Sequence, residues 1–164
     1  MKKGLIVLIM AFLVFTFAAC SGNNADKSRG GADLKLIKNS KLLKNYETEK
    51  LPKEYTQDIA EGNGDVVVNT RGDSSNTDKF MKFVGNVNKK TKDKVRITSF
   101  TTEGGAVIQD LSYDGKKILL ISDTTRDGFG IREVRQYNVS KIEKTQDSYD
   151  ALINGQKYHL ISIQ

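Results

Sequence analysis

The sequence is poor in the residue types that build disulfides, zinc sites and nucleophilic centres. It contains one cysteine, one histidine, one proline and no tryptophan. A single cysteine excludes a disulfide within the chain, and one histidine is too few for an ordinary zinc site. No G-x-S-x-G motif is present to place a serine nucleophile on a sharp turn. His159, on an alternating polar and apolar stretch, is interpreted as an ordinary strand residue. The sequence therefore predicts no catalytic residue, no metal site and no cofactor.

Long apolar runs are also scarce, and the one that exists lies at the N-terminus. Residues 5–19 carry no charge and follow Lys2 and Lys3. This run is too short for a spanning helix, which needs about 20 apolar residues. Its length and its basic flank are typical of a secretory signal. We therefore expect residues 1–19 to be a signal peptide.

The signal ends in Phe17-Ala18-Ala19-Cys20. This tetrapeptide resembles the lipobox of bacterial lipoproteins, with Phe17 in the position that leucine usually occupies. The resemblance implies that Cys20 receives a thioether-linked diacylglycerol, becomes the first residue after cleavage and accepts a further acyl chain such as palmitate. Two acyl chains give stable anchoring. The expected location is the extracytoplasmic face of the cell membrane; the alternative is an ordinary secretory signal.

Residues 20–52 are interpreted as a lipidated N-terminus and a flexible tether. Residues 21–32 are rich in Gly, Ser, Asn and charge, which favours a solvated spacer. Residues 33–52 have lysines every three positions between scattered leucines, and this pattern leaves two alternatives open. They form either a solvated linker or a basic amphipathic helix on the membrane. The segment 34–36 could also add an edge strand to the domain.

The charge balance limits the expected partners. The chain has a formal net charge of +6, and loss of residues 1–19, which hold two lysines and no acid, leaves +4. Nucleic acid is the usual partner of a basic chain, but an exported chain does not meet it. We expect the membrane itself, through the lipid anchor, and an unknown envelope protein, wall polymer or small ligand as partners.

Residues 53–164 are predicted to form one α+β domain. A helix over 53–61 places Tyr55 and Ile59 on one face, and a buried strand follows at 65–68. The next helix follows Ser75 or Asn76 as its cap, and its apolar stripe is formed by Phe80, Phe83, Val84 and Val87.

The remainder of the chain reads as strands. Strands are expected at 94–102, 106–113, 118–121 and 132–142, the last being a long polar strand. Asp114-Gly115 and Asn154-Gly155 predict two-residue hairpin turns. The expected fold is a mostly antiparallel sheet of about six strands with one or two helices packed on one face, and one parallel pair through a crossover.

The order of these motifs resembles a known family. The segments that carry the resemblance are GDVV at 64–67, NTDKFMKF at 76–83, KVRIT at 94–98, TTEG at 101–104, LSYDG at 111–115 and DGFG at 127–130. Together they are similar to a domain of unknown function found in Bacillus-type lipoproteins, the family numbered 4362. The resemblance implies a fold and a Gram-positive envelope location, and it implies no activity.

Two predicted loops, 70–76 and 123–130, are the first candidates for binding, because binding residues favour loops. Their candidate side chains are Arg71, Asp73, Asp123, Arg126 and Asp127. The tripeptide 71–73 matches an adhesion sequence, and the loop at 123–130 could bind calcium. Both segments are also ordinary turn sequences, which is the interpretation we favour.

The sequence supports three hypotheses on function. The leading one is a non-enzymatic, membrane-anchored lipoprotein that binds or interacts with a component of the cell envelope. The second is an envelope hydrolase that uses two carboxylates, or a carboxylate and Tyr113. The third is an inhibitory or structural lipoprotein, which a large exposed apolar patch would favour.

Overall fold

The structure is a computed structural model that describes residues 41–42, 44 and 46–162. The predictions for the signal peptide, for Cys20 and for most of the tether lie outside the described residues. Within the described part, the chain forms a seven-stranded sheet, a three-stranded sheet and two α-helices. This confirms the α+β class.

The elements follow one another in a simple order. They are β1 (Lys41–Leu42), a 3₁₀ helix (Glu47–Lys50), α1 (Gln57–Gly62), β2 (Val66–Val68), β3 (Ser74–Ser75), α2 (Thr77–Asn88), β4 (Asp93–Phe100), β5 (Ala106–Tyr113), β6 (Ile118–Asp123), β7 (Val134–Val139), β8 (Lys141–Lys144), β9 (Ser148–Ile153) and β10 (Gln156–Ser162).

The large sheet has the strand order β1-β7-β6-β5-β4-β2-β3, and the small sheet has the order β10-β9-β8. All pairs are antiparallel except β2 with β4, which are parallel and are connected through α2. The predicted parallel pair is thereby confirmed, as is the mostly antiparallel sheet.

Helix α2 forms as its apolar spacing predicts. Phe80 and Phe83 are fully buried, and Val84 and Val87 pack against the same core, so one stripe faces β2 and β4. Asn76 is the N-cap residue, but its side chain makes no capping bond. It donates instead to the backbone carbonyl of Asp65 at 2.8 Å, which ties the helix start to β2.

Three details differ from the prediction. Helix α1 begins at Gln57, with Thr56 as its cap, so Tyr55 precedes the helix and does not share a face with Ile59. The predicted strand 132–142 is two strands that separate at Ser140, whose amide and hydroxyl both donate to the carbonyl of Leu152. Strand β8 therefore leaves the large sheet and pairs with β9, and the last three strands form a second sheet.

Both predicted hairpins are present, but only Asn154-Gly155 forms the two-residue turn that was predicted for it. The β5–β6 turn lies one residue later, at Gly115-Lys116, because the Asp114 amide donates to the Lys117 carbonyl at 3.2 Å and extends the ladder. Asn154 and Gly155 have φ values of 52° and 77°, the two left-handed residues that a tight turn of this kind needs. In the β5–β6 turn, Gly115 has φ 97°, and Asp114 Oδ1 accepts the amides of Lys116 at 2.8 Å and Lys117 at 2.7 Å. These two bonds lower the pKa of Asp114.

The two faces of the large sheet are covered unequally. One face holds the main core against α2 and the small sheet. On the other face, the segment 46–62 covers one end through a smaller cluster that includes Tyr55, Ala60, Val67 and Ile108. Neighbouring residues of β2 divide between the two clusters, because alternate strand residues point to opposite faces. The rest of the second face carries polar side chains together with Ile121 of β6.

Candidate functional site

A row of side chains crosses the second face of the large sheet. Arg96 on β4 lies opposite Asp110 on β5. Asp110 in turn lies opposite Ile121 on β6, which is paired with Gln136 on β7. Asp65 immediately precedes β2 and reaches the same face by alternation with Val66. These five positions, on neighbouring strands, form the floor of a groove.

The groove has a volume of about 930 Å³. Tyr46 and Glu47 border it on one side, and Lys79 and Lys82 of α2 border it on another. Its charges are balanced, with the acids Glu47, Asp65, Asp93 and Asp110 and the bases Lys79, Lys82, Lys94 and Arg96. A volume of this size is in the usual range for small-molecule sites, roughly 300–1,000 Å³.

Asp65 is the buried carboxylate of the groove, with only 4% of its surface exposed. Its Oδ2 accepts from the Tyr55 hydroxyl at 2.8 Å and from the Thr98 hydroxyl at 2.7 Å. Asn63 donates to the Tyr55 hydroxyl at 3.0 Å and so orients it. Burial raises the pKa of Asp65, although both hydroxyl bonds act in the opposite direction. The carboxylate is therefore held in place but incompletely compensated.

The charge of Arg96 lowers the pKa of Asp65 in part, but Arg96 forms its ion pair with Asp110. Its Nε lies 2.5 Å from Oδ1 and its Nη2 lies 2.8 Å from Oδ2, a bidentate arrangement. The bonds to Asp110 are the main cause of the raised pKa of Arg96. Within residues 46–162, Asp65 forms no ion pair of its own.

One end of the groove reaches an open strand edge. Strand β2 pairs with β4 only at Ile97, Thr98 and Ser99. The first residues of β4, Asp93 to Val95, line the groove and have no partner strand on that side among the described residues. Next to this edge, Lys79 Nζ donates to the carbonyl of Gly64 at 2.7 Å and connects α2 to the residues before β2. At this edge the Lys94 amide donates to Asp93 Oδ1 at 2.8 Å, so the edge lacks a partner strand but is partly capped by a side chain.

A second buried carboxylate, Asp123, lies near the other end of the same face. Its Oδ1 accepts from the amide of Thr125 at 2.9 Å and from its hydroxyl at 2.6 Å. Its Oδ2 accepts from the Thr48 hydroxyl at 2.5 Å and from Arg126 Nη1 at 2.9 Å. Asp123 is 1% exposed. All four donors to Asp123 are groups of the folded domain itself.

Arg126 connects this carboxylate to the N-terminal segment. Its Nη2 donates to the carbonyls of Thr48 at 2.8 Å and Leu51 at 3.0 Å, and its Nε donates to that of Pro52 at 3.0 Å. We call Asp123, Arg126 and Thr48 with these carbonyls the arginine clasp. It holds residues 46–52, a segment that the sequence assigned to the tether, on the sheet.

The other loop candidates lie at the surface. Arg71 and Asp73 belong to an exposed turn in which Asn69 Oδ1 accepts both of their amides. Asp127 Oδ1 accepts the amide of Phe129 at 3.2 Å. None of the five predicted loop residues, Arg71, Asp73, Asp123, Arg126 and Asp127, lines the groove. A binding role for them stays a prediction.

In the sequence, the charged residues of the groove floor stand far apart, and no pattern relates them to one another. Asp65 and Asp110 were scattered carboxylates that no spacing could pair, and Arg96 was an outward position on a strand. The β4–β5 register pairs Arg96 with Asp110, and register is set by the turn at 101–105. This turn contains Gly104-Gly105, but it is longer than a two-residue turn, because the Thr101 amide donates to the Gly105 carbonyl, so the dipeptide does not give the register.

His159 takes part in a surface cluster on β10. Its Nδ1 lies 3.3 Å from Asp150 Oδ1, and its Nε2 lies 3.4 Å from the Ser162 hydroxyl. The order of groups matches a serine hydrolase triad, but both distances exceed the usual reach of about 2.6–3.2 Å. The His159 side chain is 59% exposed. The cluster is consistent with the ordinary strand residue that the sequence predicted.

The described residues contain neither a metal-binding group of side chains nor a membrane-spanning helix. In residues 41–42, 44 and 46–162, no three His, Cys, Asp or Glu side chains are grouped so as to hold a metal ion. In that same part of the chain, no helix has the length and apolar character needed to cross a membrane.

The fold and the groove define a class: a small α+β domain that carries a charged groove on the half-covered face of its sheet. The chain belongs to the family of the domain of unknown function DUF4362, whose model matches residues 63–152. This confirms the family that the motif order indicated. The match contains Asp65, Arg96 and Asp110. The chain matches no curated protein and no solved structure.

Proposed function

We propose that this protein is a bacterial envelope lipoprotein, anchored by Cys20 on the extracytoplasmic face of the membrane, whose domain binds a ligand in the groove without transforming it. The observation that carries the binding role is the incompletely compensated Asp65 on the floor of a groove of about 930 Å³. The signal and lipobox pattern of residues 1–20 supports the location.

The surroundings of Asp65 favour a role in ligand binding over a purely structural role. Buried charges that only stabilise a fold are paired within it, because an unpaired buried charge is costly. Asp65 has two hydroxyl donors and no ion pair within residues 46–162, while the neighbouring Arg96 stabilises its charge only in part and is bonded to Asp110. A ligand that brings a hydrogen-bond donor or a positive charge would complete the site.

Crosslinking on intact cells tests the binding role. A photoreactive amino acid is placed at Gln136 in the groove, at Arg71 and Asp127 in the two predicted binding loops, and at exposed Lys144 as the control. We expect ligand adducts at Gln136 above those at Lys144. Adducts at Arg71 or Asp127 with none at Gln136 would move the binding site to the loops and overturn the proposal.

The lipid anchor has a separate test. We expect the full-length chain to carry two or three acyl chains on Cys20 by mass spectrometry and to remain with the membrane after a high-salt wash. Cys20→Ser should retain the uncleaved signal and lose the acyl mass. An unmodified Cys20 in a processed chain would contradict the lipoprotein assignment and favour an ordinary secretory signal.

A hydrolase is the second candidate, because one observation favours it. Asp65 has a raised pKa and shares the groove with a second carboxylate, Asp110, a pairing that acid–base catalysis can use. However, both oxygens of Asp110 are occupied by Arg96, and Tyr113 lies in the core on the other face. If crosslinked or captured ligand is recovered chemically altered, and Asp65→Asn retains the ligand unaltered, the hydrolase replaces the binding module.

A further inference from the structure

We propose that the groove takes a zwitterionic, peptide-like ligand, which places an ammonium group on Asp65 and its carboxylate against Lys82 and Lys94. This inference rests on the proposed binding function and specifies its ligand by chemical class. It combines four features of the groove: a buried carboxylate, an arginine already bonded to an aspartate, a basic border and an open strand edge.

The first feature is the demand of Asp65 for a positive partner. Both hydroxyl donors, from Tyr55 and Thr98, end on Oδ2, so Oδ1 accepts from neither of them. Asp65 is 4% exposed and has no ion pair within residues 46–162. A cation that binds it after losing most of its hydration shell would stabilise its negative charge. An ammonium group has the right charge and offers three donors.

The second feature excludes an anion from the centre of the groove. Arg96 would be the natural receptor for a carboxylate or a phosphate. Its Nε and Nη2 already bind both oxygens of Asp110, so its single positive charge is shared between Asp110 and Asp65. An anionic group placed beside Asp65 and Asp110 would be repelled by both. The centre therefore selects positive charge.

The third feature gives the anion a place at the border. Lys82 on α2 and Lys94 on β4 both line the groove. Neither forms an ion pair with any other described residue. An exposed ammonium group is a flexible point charge that can follow a carboxylate without a fixed geometry. The two ends of a zwitterion thus meet opposite charges.

The fourth feature suits a peptide backbone between those charges. Residues 93–95 of β4 line the groove and lack a partner strand on the side of β2 among the described residues, with the Lys94 amide held by Asp93 Oδ1 at 2.8 Å until a ligand replaces it. Extended peptides bind such edges by adding main-chain hydrogen bonds. A peptide bond between the ammonium and carboxylate ends could pair there, which a simple diamine or dicarboxylate could not do.

The experiment measures binding of one dipeptide and its blocked forms to the full-length chain in detergent micelles by calorimetry. Alanyl-alanine should bind, because it carries both charges on one peptide unit. Its N-acetyl form should bind about tenfold more weakly or worse, since the charged contact to Asp65 is lost. Its C-terminal amide should lose less, because the contacts of Lys82 and Lys94 are exposed.

Variants assign each end of the ligand to its residues. Asp65→Asn should bind the free and N-acetylated dipeptides alike, and Lys82→Gln with Lys94→Gln should bind the free acid and the amide alike. Asp147→Asn and Lys144→Gln, at exposed positions outside the groove, should leave all preferences unchanged. Equal binding of the free and acetylated dipeptides to the unaltered chain would overturn the ammonium assignment without any variant.

The ligand class and the proposed function can fail separately. If crosslinks form at Gln136 in cells but alanyl-alanine neither binds nor competes with them, the ligand class is wrong and the binding function stands. If no adduct forms at Gln136 and no dipeptide binds, both are wrong. Competition by alanyl-alanine, but not by its acetylated form, supports both.

Discussion

Two aspartates are buried on the same face of the same sheet, and their surroundings differ. Asp123 has four donors on its two oxygens, one of them a guanidinium. Asp65 has two hydroxyl donors on one oxygen and, within residues 46–162, no cation bonded to it. Both are almost inaccessible to solvent. Burial alone therefore does not distinguish a structural carboxylate from one available to a ligand.

The difference lies in what each carboxylate completes. The arginine clasp at Asp123 joins the β6–β7 loop to residues 46–52, so its bonds stabilise the fold. Asp65 is fixed by Tyr55 and Thr98 but opens on the groove. A buried carboxylate whose two oxygens both have donors within the fold indicates a structural role. A buried carboxylate that is held in place but has donors on one oxygen only indicates a ligand-binding site. Four predictions test this comparison.

The largest effect is expected from Arg126→Met. This change leaves Asp123 buried without its cation and removes the donor from three carbonyls, so we expect a loss of about 3–5 kcal/mol in the free energy of unfolding. Urea denaturation measures it. Arg71→Met, at a side chain that is 83% exposed, is the control and should change stability by less than about 1 kcal/mol. Equal effects of the two changes would show that the clasp is not structural.

A smaller effect is expected from Thr48→Val, which keeps the shape and removes one donor to Asp123. The loss of a hydrogen bond to a charged group should cost about 1.5–3 kcal/mol. Thr102→Val, at an exposed position, serves as the matched control in the same urea titration. A cost below that of the control would mean that Asp123 does not depend on the N-terminal segment.

Asp65→Asn, unlike the two changes at the clasp, should become more stable relative to the unaltered chain as the pH rises. Burial raises the folded-state pKa of Asp65, so its ionised form disfavours the folded state. The protonated form of Asp65 makes its full contribution to the free energy of unfolding below the unfolded-state pKa, about 4. This contribution is lost as the pH rises through the folded-state pKa. The asparagine has no such loss, so the stability of Asp65→Asn relative to the unaltered chain should increase from pH 4 to pH 7.

Urea midpoints at several pH values measure this trend, with Asp147→Asn, at an exposed position outside the groove, as the control. If Asp65→Asn instead becomes relatively less stable as pH rises, Asp65 is a saturated structural carboxylate like Asp123. The distinction between the two residues would then be lost.

The smallest effect is expected at a third buried acid, Asp150, whose partner is exposed. His159→Gln removes a contact of 3.3 Å from a side chain that is 59% exposed. Exposed pairs contribute about 0–1 kcal/mol, so thermal or urea unfolding should change little. A loss as large as that of Thr48→Val would place the β9–β10 cluster among the structural networks and prompt a new look at Ser162.

Local features of the fold were predictable from the sequence, and contacts between distant residues were not. The stripe of α2 and the Asn154-Gly155 turn depend on a few neighbouring residues, and both are confirmed. The division into two sheets depends on Ser140 meeting Leu152, with no proline or glycine at the break. The groove and the clasp depend on pairs such as Asp65 with Thr98 and Thr48 with Asp123, which are 33 and 75 residues apart.

The arginine clasp also has a mechanical consequence. With a lipid anchor at Cys20, any tension along the tether would enter the domain from the N-terminal side. It would first meet β1, which is held to β7 by two residue pairs, and then the carbonyls that Arg126 grips. These contacts precede β2, β4 and β5 along the load path. Tyr46 and Glu47, which border the groove, lie on this path between β1 and the clasp, whereas the floor residues near β2, β4 and β5 lie behind the clasp. Pulling on the anchor would therefore displace one border of the groove first, and it would strain the clasp before it distorted the floor.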